Sequence, residues 1–112
     1  MKREFVYLKV FDKQWYNLGL TDEDVVFLEN ALLENPEVGN VIQGTGGLRK
    51  MRFSLPHKGK SGGARVLYVD FVFCEKTILM AVYAKNEQEN ISDVQKQRYK
   101  KLISELAKEL EK

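Results

Sequence analysis

Leu48 to Ala84 reads LRKMRFSLPHKGKSGGARVLYVDFVFCEKTILMAVYA, and this stretch decides the fold. From Leu48 to Leu55 the residues alternate, placing Met51 and Phe53 on one strand face and Lys50 and Arg52 on the other. Two cations therefore project together from a half-buried strand. Pro56 to Gly63 is a basic, glycine-rich connection, and Ala64 to Phe73 is strongly apolar, as a buried strand requires. Glu75-Lys76 turns the chain into a further run, Thr77 to Ala84, which makes a hairpin of two adjacent strands. The stretch therefore predicts three consecutive strands.

The flanking sequence supplies the helices. Phe5 to Phe11 is aromatic and β-branched enough to predict a first strand. Asp12 to Leu18 predicts one or two helical turns closed by Gly19. Thr21-Asp22-Glu23-Asp24 is a capping-box-like start, followed by Val25, Leu28, Ala31 and Leu32 at helical spacing, and the helix ends near Glu34 to Asn35 ahead of Pro36. A loop containing Val41-Ile42 leads to the flexible Gly44-Thr45-Gly46-Gly47. Ser92 with Gln95 repeats the capping pattern and opens a last helix with Tyr99, Leu102, Ile103, Leu106 and Leu110 on one stripe. The order β-α-α-β-β-β-α predicts a single α+β domain spanning 1–112.

At 112 residues, 44% hydrophobic and 30% charged, the chain fits one domain that folds without staples. Cys74 alone forms no internal disulfide, and one histidine with one cysteine supplies no tetrahedral zinc set. No apolar run approaches the roughly 20 residues that span a bilayer, and no signal-peptide stretch stands at the N-terminus, which points to a cytoplasmic protein with no membrane partner. Asn90-Ile91-Ser92 reads as a helix entry rather than a glycosylation site.

The net charge is +2, but it is unevenly placed. Val38 to Val69 contains no Asp or Glu while holding Arg49, Lys50, Arg52, Lys58, Lys60 and Arg65. A segment of that kind sets up a local positive field that attracts polyanions.

Several motifs nearly fit and fail. Gly59-Lys60-Ser61 resembles the end of a phosphate-binding loop, yet Ser54 stands where the first glycine is required and no helix follows. Gly44-Thr45-Gly46 begins a dinucleotide fingerprint whose third glycine position is Arg49. His57 has no sequence cue for triad partners, and Cys74 has no basic partner to activate it. Trp15 and Tyr16 read as core or partner-interface residues.

What survives is Gly47-Leu48-Arg49-Lys50-Met51-Arg52-Phe53, then Lys58-Gly59-Lys60-Ser61-Gly62-Gly63-Ala64-Arg65, then Tyr68, then Val82-Tyr83-Ala84-Lys85-Asn86-Glu87. Glycines let backbone approach a phosphate chain, arginines fork onto phosphate oxygens, and tyrosines offer a face to a base, which are the needs of a single-stranded RNA site.

In these segments, GTGGLRKMRF, GKSGGARVLY and VYAKNE, the sequence resembles the RelE/HigB toxins of bacterial type II toxin–antitoxin systems, and the GK-x-GG-x-R segment resembles the HigB-like branch. The resemblance implies a RelE-like α+β fold, a small antiparallel-dominated sheet with two N-terminal helices packed on it and a C-terminal helix, and an endoribonuclease that enters the ribosomal A site and cleaves mRNA without metal or cofactor. The reaction it implies is attack of a ribose 2′-hydroxyl on the adjacent phosphate, which needs a base, a charge stabiliser and a leaving-group acid. Carried over by position, Lys50 is the candidate base, Arg52 and Arg65 clamp the phosphate, and Lys85 assists the leaving oxygen. Like charges around Lys50 would favour its neutral form, and His57 is an alternative acid or base. Arg49, Lys58 and Lys60 are expected on RNA backbone. Well-studied members place an arginine and then a tyrosine after the last strand; here Lys85 is followed by Asn86 to Asn90, so base stacking falls to Tyr83 or Tyr68. The implied partners are the ribosome with its rRNA, mRNA, and a cognate antitoxin of helix-turn-helix type, held either over the basic site or on the helix faces that carry Trp15, Tyr16 and Phe27. Two alternatives remain: a ParE-like gyrase inhibitor, against which the Lys50, Arg52, Arg65 and Lys85 quartet argues, and a non-catalytic nucleic-acid-binding module.

Overall fold

The computed structural model describes residues 3–54, 63–85 and 90–112. In chain order these form β1 (Glu4–Tyr7), α1 (Lys9–Asn17), α2 (Asp22–Glu34), β2 (Asn40–Val41), β3 (Arg49–Phe53), β4 (Ala64–Phe71), β5 (Lys76–Ala84) and α3 (Asp93–Leu110), with a single 3-10 turn at Val72–Cys74 between β4 and β5. The five strands make one mixed sheet in the order β1-β5-β4-β3-β2. All its pairs are antiparallel except β1 with β5.

The antiparallel core of the sheet follows from the alternation in Leu48–Ala84. Met51, Phe53, Val66, Tyr68, Leu79 and Val82 face one way and pack against Phe11 and Trp15 of α1 and Leu28 and Leu32 of α2. Leu48, Leu67, Val69, Ile78, Met80 and Tyr83 face the other way and pack against the Tyr99, Leu102, Ile103 and Leu106 stripe of α3. The N-terminal and C-terminal helices thus cover opposite faces. One irregularity adjusts the phase: Leu67 pairs with Ala81 but Tyr68 with Leu79, so Met80 is the extra residue of a β-bulge.

The structure corrects the N-terminal reading. Phe5 to Phe11 is not one strand; the strand stops at Tyr7, Leu8 caps α1, and Val10 and Phe11 are helical. Phe11 and Trp15, four residues apart, stack at 5.4 Å between centroids as neighbours on one helix face, and this burial outweighs the strand propensity of the run. Trp15 is 1% exposed and belongs to the core rather than to any outer face, whereas Tyr16 and Phe27 are exposed. The loop around Val41 also gains a two-residue strand, β2, on the sheet edge. Both capping boxes form as read, Thr21 with Asp24 and Ser92 with Gln95.

β1 is stitched across the sheet as well as along it. Arg3 reaches past β5 to Asp70 of β4 at 2.7 Å, and Thr77 of β5 donates its hydroxyl to the same carboxylate oxygen at 2.7 Å. Among the described residues no helix is long and apolar enough to cross a membrane.

Candidate nucleic-acid interface

Register determines which cations meet. Lys50 pairs with Leu67 and Arg52 with Arg65 across β3 and β4, and Arg65 pairs with Tyr83 across β4 and β5. Directly paired residues share a face, so Lys50, Arg52, Arg65 and Tyr83 all lie on the face covered by α3. Beyond the start of α3 that face opens into a cleft of about 600 Å³. Its walls are Val38, Asn40, Lys50, Met51, Arg52, Arg65, Lys85 and Asn90. Four of these eight residues are cations and none is an acid, so the cleft favours an anionic guest. Lys50 and Arg65 are half-buried, while Arg52 and Lys85 are exposed.

The backbone holds these groups firmly. Gly63 enters β4 with φ at 66°, a left-handed conformation that suits glycine, and accepts a hydrogen bond from the Lys85 N–H at 3.3 Å. A Cβ at Gly63 would lie 2.4 Å from the Phe53 carbonyl oxygen, so only glycine fits where β3, β4 and the end of β5 converge. In that framework Lys85, which follows β5 in the chain, is brought beside Arg65.

The other residues proposed for RNA sort differently. Arg49 is on the opposite face, paired with Tyr68, and its guanidinium donates to the carbonyl of Gly39 at 2.7 Å; it braces the segment between α2 and β2 instead of lining the cleft. Tyr68 is 0% exposed in the α1–α2 core, its hydroxyl donating to the Pro36 carbonyl and accepting from the Gly39 N–H, so its ring is closed to a base. Burial pushes its phenol up, against the opposing pull of the Gly39 hydrogen bond and Arg49. Tyr83 is on the cleft side but is 8% exposed, which removes it as a stacking platform. Its hydroxyl is buried and has no hydrogen-bond partner among the described residues. Burial pushes this phenol up too, with Arg65 pulling the other way. His57, Lys58 and Lys60 lie outside the described residues.

Sequence reasoning missed Val38, Asn40 and Asn90 as cleft walls. Asn40 reaches the site through β2, whose two-residue length gives no periodic signal, and Asn90 reaches it through the return of the chain into α3. Among the described residues there is no group of three His, Cys, Asp or Glu side chains arranged to hold a metal ion.

The comparisons with known proteins agree with this architecture. A family model described as the RelE toxin of the RelE / RelB toxin-antitoxin system matches residues 8–112. The chain belongs to this family, the RelE toxins of toxin–antitoxin systems. Among solved structures it is similar to a double arginine-to-alanine mutant of E. coli toxin RelE in the free state, with a TM-score of 0.55 and 18% identity over 80% of this chain and 90% of that one. That likeness is one of fold.

Proposed function

We propose that this toxin is an endoribonuclease that cleaves mRNA in the ribosomal A site and so halts translation. The observation that carries the reading is the convergence of Lys50, Arg52, Arg65 and Lys85 on one cleft with no carboxylate in its walls among the described residues. Cleavage of an RNA strand by its own 2′-hydroxyl needs charge placed where the pentacoordinate phosphate forms, and preorganised cations in a partly closed site supply it.

In this scheme Lys50 takes the proton of the 2′-hydroxyl, whose oxygen bonds to the adjacent phosphorus. Arg52 and Arg65 hold the non-bridging oxygens, and the guanidinium fork suits two of them at once. The bond from phosphorus to the 5′-oxygen breaks, leaving a 2′,3′-cyclic phosphate, and Lys85 gives its proton to the departing oxygen. No metal takes part. The partner that restrains the toxin is an antitoxin of helix-turn-helix type, and the cell compartment is the cytoplasm.

The test is primer extension on mRNA from cells expressing the chain, beside a gyrase supercoiling assay. Wild type yields breaks within codons. Arg65→Ala loses roughly 10²-fold or more in cleavage, the scale for removing one charge-stabilising donor. Full cleavage by a folded Arg65→Ala variant removes the mechanism, and intact mRNA with inhibited gyrase replaces the function.

A further inference from the structure

The cleft uses four cations, and α3 carries another group that it leaves aside. From Asp93 to Ser104 the helix holds Lys96, Arg98, Lys100 and Lys101 against the single acid Asp93. Residues four apart share a helix side, so Lys96 and Lys100 lie together, while Arg98 and Lys101, three apart, lie on another side.

Contact with the loop before β3 orients the first pair. Gly46, with φ at 78°, lies against α3: a Cβ there would be in ordinary van der Waals contact with Lys100, 3.6 Å from its Cγ and 3.8 Å from its Cα. One turn nearer the cleft, Lys96 is half-buried, and Asn90 just ahead of the helix is a cleft wall. The Lys96–Lys100 side therefore runs from the mouth of the cleft to Gly46. The facing bank, Asn40 to Leu48, contains no charged residue and three glycines.

We propose that this side of α3 is a second RNA contact: a track for the single strand that leaves the cleft on its 3′ side, with Lys96 and Lys100 each against a backbone phosphate. The proposal rests on the cleft being the site of mRNA cleavage. On the 5′ side the message is held by the neighbouring paired codon, so the 3′ side is free to follow the helix. Lysine on phosphate reads charge and not sequence, so the track adds affinity without codon preference.

The experiment uses ribosomes programmed with two messages, one ending at the A-site codon and one extending ten nucleotides beyond it, and measures cleavage rate at subsaturating toxin from about 50 to 200 mM salt. Each phosphate contact with a single strand contributes about 0.7 to the salt slope, so wild type should be steeper on the long message by about 1.4, roughly a sevenfold larger fall across that range. K96Q/K100Q should cleave the short message as wild type does and lose the extra slope on the long one. R98Q/K101Q, with the same change in charge on the other side, should keep it. Equal loss by both double variants means general attraction and overturns the track. Equal loss by K96Q/K100Q on both messages assigns the lysines to rRNA or to folding and also overturns it. An unchanged K96Q/K100Q overturns the track while the cleft stands, and a wild type that cleaves neither message removes the cleft reading and the track together.

Discussion

Arg52 and Arg65 stand directly opposite one another on β3 and β4. Like charges in that position oppose strand pairing by roughly 0.2–1 kcal/mol, and Arg52, being exposed, belongs at the screened end of that range. On the function proposed above, that stability is given up where a phosphate is to be held. Replacing Arg52 with Thr, a good strand former, should raise the thermal midpoint by about 1–3 °C while cleavage falls at least roughly tenfold. Calorimetry and primer extension on the same preparation check the pair of effects. A variant that melts earlier than wild type would show that Arg52 holds the sheet together.

Two buried tyrosines should respond in opposite ways to loss of the hydroxyl. Tyr68→Phe strands the Pro36 carbonyl and the buried Gly39 N–H, and should cost about 1–3 kcal/mol. Tyr83→Phe removes a buried hydroxyl with no partner among the described residues, and should be neutral or stabilising by up to about 1 kcal/mol. Urea unfolding of both variants decides this. A clear destabilisation by Tyr83→Phe would mean that its hydroxyl is bonded in solution.

Gly63→Ala combines a left-handed backbone with a 2.4 Å approach to the Phe53 carbonyl oxygen. The conformational part alone costs about 1–2 kcal/mol, and the clash with backbone has no flexible side chain to yield, so a total above about 2 kcal/mol is expected. Gly44→Ala shares the positive φ but meets nothing within 4 Å, and should cost only the conformational part. Equal losses at the two positions in denaturant titrations would remove the clash from the account.

Alkali should unfold the protein sooner than its charge balance suggests. Tyr7, Tyr68, Tyr83 and Tyr99 are all held above the ordinary phenol range, chiefly by burial, with Glu29 adding to the effect at Tyr7. For a group raised on folding, the unfolded chain releases its proton first. Stability is therefore complete below about pH 10, the unperturbed tyrosine value, and declines as pH rises toward the folded values. Tyrosinate absorbance should lag in the native state and then rise together with loss of helical circular dichroism. Tyrosinate appearing near pH 10 in a fully folded protein would contradict this.

The sequence reading reached furthest where a local rule settles the answer. The Thr21–Asp24 and Ser92–Gln95 boxes mark two helix starts because the cap residues bond within three positions of each other. Met51 and Phe53 against Lys50 and Arg52 expose the polarity of β3 because a strand alternates strictly. Arg49 shares the Met51 and Phe53 face by that same alternation, so its place off the cleft could be read from β3 alone, whereas a face label for Tyr68 needs the register between β3 and β4, which no single strand contains. Phe5 to Phe11 misled because aromatic and β-branched residues suit a strand, while the Tyr7–Phe11–Trp15 contacts that favour a helix are formed only against the sheet. RelE family membership was legible in three short segments, and the walls that β2 and the entry to α3 lend to the cleft were not.

The pairing of β1 with β5 sets the order in which a newly made chain can finish folding. Glu4 takes its place beside Lys76, so the first strand to be synthesised has no sheet partner until some seventy further residues exist. At about 5–20 residues per second that wait lasts several seconds, and closing so long a loop is slow in its own right. The Asp70 carboxylate that Arg3 and Thr77 both donate to is likewise fully bonded only once β5 exists. Lys85 lies nine residues beyond Lys76, so the cationic cleft, too, is completed only after β5 has been made. Nascent chains released early, by truncation or stalling before β5, would be born without a finished cleft.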